Sequence, residues 1–400
     1  IDNQGNFGAD GIVGPHHEKE GSYYTIKQLW SPVQVMNTAI DRNFNGRLSV
    51  ENRYDYLNLN TCRFIWQQVK FPSVTDASNT TTRILKQGEV QGNDVAAHGV
   101  GVVDIKTSIL PEADALFLTV IDKYGHELWR WTFPVDKLNR ETEQFSALSG
   151  RASYTETEKG ITVKANGRTF VFSKEDGQLK DVSVNNRKIS FANGPRFIGA
   201  RRADRSLDQF YNHDDEKAKA KDRTYSEFTD AAVFTKLDVK EEGGNLILTA
   251  NYKLGNLDKA QWTIHPDGMA TLDYTYNFSG VVDLMGICFD YPEEQVLSKR
   301  WLGAGPYRVW QNRIHGTQYD IWENDYNDPI PGETFTYPEF KGYFGSVSWM
   351  SIRTKEGTIS LTNETPDSYI GVYQPRDGRD RLLYTLPESG ISVLNVIPPV

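Results

Sequence analysis

Apolar and polar positions alternate in short runs along most of this chain, the pattern of strands with one face buried and one face wet. Between Val33 and Val135 the runs are RLSVEN at Arg47–Asn52, CRFIWQQV at Cys62–Val69, GVVDIKTSI at Gly101–Ile109, ALFLTVID at Ala115–Asp122 and ELWRWTF at Glu127–Phe133. Lys123–Tyr124–Gly125 joins the last two as a predicted hairpin. About a hundred residues of short strands, with a turn signal roughly every ten, predict an immunoglobulin-like sandwich over 33–135. The polar segment 136–152 reads as a linker. Hairpin signals then crowd the region 153–400: Asn166-Gly167 between ITVKA and RTFVF, Asp176-Gly177, Asn185-Asn186, and His265-Pro266-Asp267-Gly268. After that last turn, Leu272, Tyr274, Tyr276 and Phe278 alternate with polar residues. A region this long exceeds one ordinary sandwich and predicts a pair of large antiparallel sheets joined by long loops.

One stretch departs from this period. From Glu18 to Leu29, the residues Tyr23, Tyr24, Ile26 and Leu29, followed by Trp30, make a helical stripe with acids early and Lys27 late, and Pro32 ends it. A glycine-rich run from Phe7 precedes the stripe, so residues 1–32 read as the closing turn and last helix of an α/β domain. The expected fold class is therefore mainly β: a short N-terminal helix, a sandwich and a larger two-sheet region.

Composition narrows the function classes. With 400 residues, 38% hydrophobic and 24% charged, the chain can bury full cores in two or three domains. A net charge of −9 argues against nucleic acid and anionic membranes as partners. No apolar run reaches the ~18 residues of a membrane-spanning helix. Cys62 and Cys288 fall in different predicted domains and are expected to be free thiols, which leaves the compartment open. Ile1 is not an initiator methionine, so the chain is expected to continue upstream, and a periplasmic or secreted parent is compatible with it.

Three quoted stretches now bear on identity: NFGADGIVGPHHEKEGSYYTIKQLWSPVQV (Asn6–Val35), VENRYDYLNLNTCRFIW (Val50–Trp66) and RWLGAGPYRVWQNRIHGTQYDIW (Arg300–Trp322). With the weaker NGPRFIGARRADRS (Asn193–Ser206), they resemble, in order, the C-terminal half of glycoside hydrolase family 2 enzymes of the β-galactosidase type. The resemblance implies the tail of a (β/α)8 barrel, an immunoglobulin-like sandwich and a galactose mutarotase-like supersandwich. In that family one barrel glutamate protonates the leaving oxygen and a second attacks the anomeric carbon. Both would lie upstream of Ile1, so no catalytic residue is expected in this fragment. Phe7 and Asp10 match positions where the family can bind sodium through a carbonyl and a carboxylate oxygen. The resemblance thus implies no cofactor for the fragment, and a sodium (or magnesium) ion for the parent. Implied partners are a β-linked oligosaccharide or glycan and the barrel of the same polypeptide.

The chain also departs from the family. Arg308 and Trp310 stand where an acid and a tyrosine are common, and Asn312 stands where an aspartate usually precedes Arg313. Basic residues replace an acidic cluster in Asn193–Ser206, and the tail lacks a tryptophan loop that some members send into the active site. These changes bear on sugar specificity and leave the architecture alone.

The aromatic and basic stretch Trp301–Trp322 is the main candidate for chemistry. Sugars offer C–H faces to indole rings and hydroxyls to guanidinium and amide groups. Tyr307, Arg308, Trp310, Arg313, Trp322 and Glu339 are the substrate-binding candidates, with Pro338, Phe340, Tyr369, Tyr373 and Arg376 weaker. Both readings stay open here: these aromatics pack the sandwich, or they face a sugar cleft. Other motifs read plainly. Asn363-Glu364 mimics the family's acid/base pair but follows TISLTN as a turn, Gly99–Asp104 is a strand and not a nucleotide loop, and His16-His17-Glu18 caps the short helix. The leading expectation is the non-catalytic C-terminal portion of an exo-β-glycosidase. Its rivals are a stand-alone carbohydrate-binding module and an aldose 1-epimerase-like enzyme.

Overall fold

The computed structural model describes residues 12–13, 17, 19, 21–75, 81–135, 150–202, 225–228, 230–325, 342–365, 367–372 and 390–398. Helix α1 spans Gly21–Leu29, and antiparallel strands make up nearly all the regular structure after it. It starts later than the stripe predicts and has no acid in its first turn. An antiparallel bridge joins Val13 to Lys19 just ahead of it. His17, at a φ of 66°, therefore precedes the helix and does not cap it. At the other end the Gln34 side-chain amide donates to the carbonyls of Gln28 and Ser31, satisfying groups the helix leaves open.

Residues 33–135 form two facing sheets. Val33–Val35, Arg47–Asn52 and Val100–Asp104 make a three-stranded sheet, and Arg83–Gln91, Arg63–Lys70, Ala115–Ile121 and Glu127–Pro134 a four-stranded one. Leu48, Val50, Val103, Phe64, Leu116, Leu118 and Val120 fill the space between them. The strand expected over Gly101–Ile109 stops at Asp104, whose Oδ1 accepts the N–H of Lys106, a residue at a φ of 54°. Sequence periodicity overlooks Arg83–Gln91, an edge strand with no fully buried position. Its Gly88 lies beneath the Trp66 ring, where a Cβ would come within 2.5 Å.

The rest of the described chain differs from the expected pair of large sheets. One antiparallel sheet has eleven strands, and two separate four-stranded sheets accompany it. Val233–Glu242, Asn245–Lys253, Leu257–Ile264 and Ala270–Tyr276 follow one another as hairpins in the first small sheet. Gln318–Asp325, Val296–Gly305, Trp349–Thr354 and Gly357–Thr362 form the second. Register explains how both lie on one face of the large sheet. Phe197, Ile287, Val393 and Ile370 are successive cross-strand partners, so they point the same way. Ile287 packs in a core with Leu248 and Trp262 of the first small sheet, and Ile370 in a core with Trp301 and Met350 of the second. The alternate residues Ala200, Leu284 and Leu394 point to the opposite face, against Val309, Trp310 and Tyr343. Turn chemistry reads true at Asn166-Gly167 and Asn185-Asn186, where each pair has both φ angles positive, as two-residue hairpins require. Both cysteines are free and buried. Among the described residues, no helix is long and apolar enough to cross a membrane.

Candidate functional site

Strands Val296–Gly305 and Gln318–Asp325 pair from Ser298 opposite Asp325 to Gly305 opposite Gln318, so the quoted motif is a hairpin with a broad loop over 306–317. Two of its glycines serve close approach. A Cβ on Gly303 would come within 3.0 Å of the Gly345 carbonyl, and one on Gly305 within 2.4 Å of the Trp322 ring. Trp301 is fully buried, donates Nε1–H to the Ala304 carbonyl at 2.9 Å and meets Phe344 edge-on at 4.8 Å. Trp322 donates its Nε1–H to the carbonyl of Gln318 at 3.0 Å.

The loop then splits in two. Val309 exchanges backbone hydrogen bonds with Tyr343, which seats Trp310 in the core, 5.7 Å from the Tyr343 ring and nearly perpendicular to it. Arg313 N–H closes a turn onto the Trp310 carbonyl at 2.9 Å, leaving Gln311, Asn312, Arg313, Ile314 and His315 exposed. Tyr307, Gly316 and the His315 carbonyl face α1. The Tyr307 hydroxyl donates to the Lys19 carbonyl at 2.9 Å, and its ring lies 5.4 Å from that of Tyr24. Thr25 donates to the His315 carbonyl at 2.9 Å, and Gly316 N–H to Gln28 Oε1 at 2.6 Å. Gly316 does bend, at a φ of 86°, and a Cβ there would come within 2.5 Å of the Thr25 nitrogen.

The same hairpin docks on the first sandwich. Val69, Phe71, Ala115 and Phe117 meet Leu302 and Trp349 in a small core, flanked by Tyr319 and Ile321. Burial raises the Tyr319 pKa, and its hydroxyl bonds that of Ser348 at 2.6 Å. Arg130 donates to Gln318 at 2.8 Å and to Asp320 at 3.0 Å, while its guanidinium stacks 4.6 Å from the Phe117 ring centre. Thr82 donates to the other Asp320 oxygen at 2.7 Å. The carboxylate is thus satisfied on both oxygens, and the arginine is paired as a partly buried charge requires. Lys27 and Glu127 add a more exposed pair at 2.8 Å. Helix, first sandwich and hairpin therefore converge on the 306–322 stretch.

A family model described as beta galactosidase small chain matches residues 164–382, more than half of the sequence. The chain belongs to that family. No curated protein matches it.

The small-chain match takes in the whole motif hairpin and the two four-stranded sheets of the larger region, and it begins inside the Gly160–Ala165 strand. Helix α1 and the first sandwich lie ahead of it. Of the residues singled out from sequence, Tyr307, Arg308, Trp310, Arg313 and Trp322 share this hairpin and loop. Trp310 is buried, Tyr307, Arg308 and Trp322 are half-buried, and Arg313 is exposed. Tyr369 packs half-buried beside the Trp310 core. Glu339, Pro338, Phe340, Tyr373, Arg376, Phe7 and Asp10 lie outside the described residues. Among those described, no three His, Cys, Asp or Glu side chains are arranged to hold a metal ion. Asn363 is a turn residue, donating to the Val347 carbonyl and to Ser368 and accepting from Thr365 N–H. Sequence reasoning missed Thr25, Gln28, Thr82, Arg130 and Asp320. Their partners lie 188 to 290 positions away, and no local pattern carries such a signal.

Proposed function

We propose that this chain is the non-catalytic C-terminal portion of a family 2 exo-β-glycosidase of the β-galactosidase type. It supports a catalytic barrel and shapes the cleft for a β-linked oligosaccharide. Two upstream barrel glutamates would carry out retaining hydrolysis. The observation that supports this reading best is the grip of the small-chain hairpin on α1, the helix ahead of the sandwiches among the described residues. A hairpin spent on holding that helix behaves as a buttress. Arg313, Arg308 and Tyr307 are then the proposed rim toward sugar, while Trp310 and Trp322 set the rim's shape from behind. Glu339 belongs to the same proposed rim, and Phe7 with Asp10 to the parent's sodium (or magnesium) site.

Calorimetric titration of the chain with galactose and with lactose tests this role. A buttress lacking its barrel should show no saturable site tighter than about 1 mM, a free energy of about −4 kcal/mol. A tighter site that Arg313→Ala weakens would instead favour a stand-alone carbohydrate-binding module.

A further inference from the structure

Helix α1 cannot owe its order to itself. Nine residues is short of the ~12–15 at which an isolated helix becomes even marginal in water, and none of its side chains is fully buried. Its ion pair to Glu127 is partly exposed and contributes little. The remaining long-range hydrogen bonds of this segment go to one loop: Thr25 to His315, Gln28 to Gly316, and Lys19 to Tyr307 among the described residues. Each uses a main-chain group of the loop or of the helical segment, so each depends on where the backbone runs and not only on which side chains are present. Gly316 makes the fit possible, since it combines a left-handed φ with an approach to Thr25 that leaves no room for a Cβ.

We propose that α1 and the side of the loop that faces it, Tyr307 with His315 and Gly316, are a clasp, two parts each of which holds the other in place. Through it, displacing that side of the loop loosens the helix. Coupling of this kind is reciprocal, so loosening either half must loosen the other. The clasp does not depend on the sugar chemistry proposed above, and sugar titration and clasp can fail separately.

Hydrogen exchange followed by mass spectrometry on the whole chain is the test. Gln28→Ala removes the acceptor of the Gly316 N–H, yet alanine is the better helix former, so intrinsic propensity alone would slow exchange in α1. The clasp predicts the opposite: α1 peptides exchange about fivefold faster, as loss of one hydrogen bond implies. Strands Asn245–Lys253 and Leu257–Ile264 should keep their wild-type rates. Ile26→Gly, which weakens the helix from within, should speed exchange in peptides covering 314–318. Unchanged or slower exchange of α1 in Gln28→Ala would overturn the proposal, as would a loop indifferent to Ile26→Gly. A uniform rise across the sheets in both variants would also overturn it, because it would mean global destabilisation.

Discussion

Glu356 accepts hydrogen bonds from the Ser190 hydroxyl at 2.6 Å, from the Ser190 N–H at 3.0 Å and from the Tyr291 hydroxyl at 3.0 Å. Burial alone would raise its pKa, but the Ser190 and Tyr291 bonds and the Arg187 charge outweigh burial and hold the carboxyl below its ordinary 4.5. A depressed carboxyl contributes stability above its unfolded pKa and loses it as pH falls through the folded value. Glu356→Gln should therefore destabilise the chain by about 1–2 kcal/mol at neutral pH. In urea unfolding followed by tryptophan fluorescence, that gap should shrink as pH falls below 4.5. A gap that stays constant from neutral pH to pH ~3 would show that ionisation plays no part. Gly305 makes a second residue-scale case. Its physical duty is to let the Trp322 indole lie on the strand. Gly305→Ala is expected to cost about 1–3 kcal/mol by overpacking, and a variant as stable as wild type would contradict that contact.

Among elements, hairpins were legible because their cause is local. Asn166-Gly167 and Asn185-Asn186 need only positive φ at both turn positions, and a dipeptide advertises that. The edge strand Arg83–Gln91 was not legible, since none of its positions is fully buried and no alternation marks it. Nor were the contacts that assemble the candidate site, because the chain positions they join are remote. Arg130 and Asp320 come from strands of different sheets, and their side chains keep only 24% and 15% of their exposure. A double-mutant cycle with Arg130→Met and Asp320→Asn should give a coupling energy of about 1–3 kcal/mol in chemical unfolding. Strict additivity would mean that the first sandwich and the hairpin merely touch.

At the scale of the molecule, the mainly β class, the order of helix, sandwich and larger β region, and a β-galactosidase-like C-terminal region were legible in the sequence. The division of that larger region into one broad sheet and two small ones was not. Strand pairing across hundreds of positions is set by facing cores, such as Ile287 with Leu248 and Ile370 with Trp301, and not by any turn. The candidate site was legible as a stretch of residues, with two roles left open. Trp310 and Trp322 make close packing contacts with Tyr343 and Gly305, in line with the packing reading that the sequence left open beside a sugar face. What distinguishes a supporting portion from an enzyme is whether the chain alone can break a glycosidic bond. Incubating the purified chain with a nitrophenyl β-galactoside, and reading nitrophenol release against a heat-treated control, answers that directly. The account predicts no release above the control. Saturable turnover that follows the chain through a second purification would contradict it.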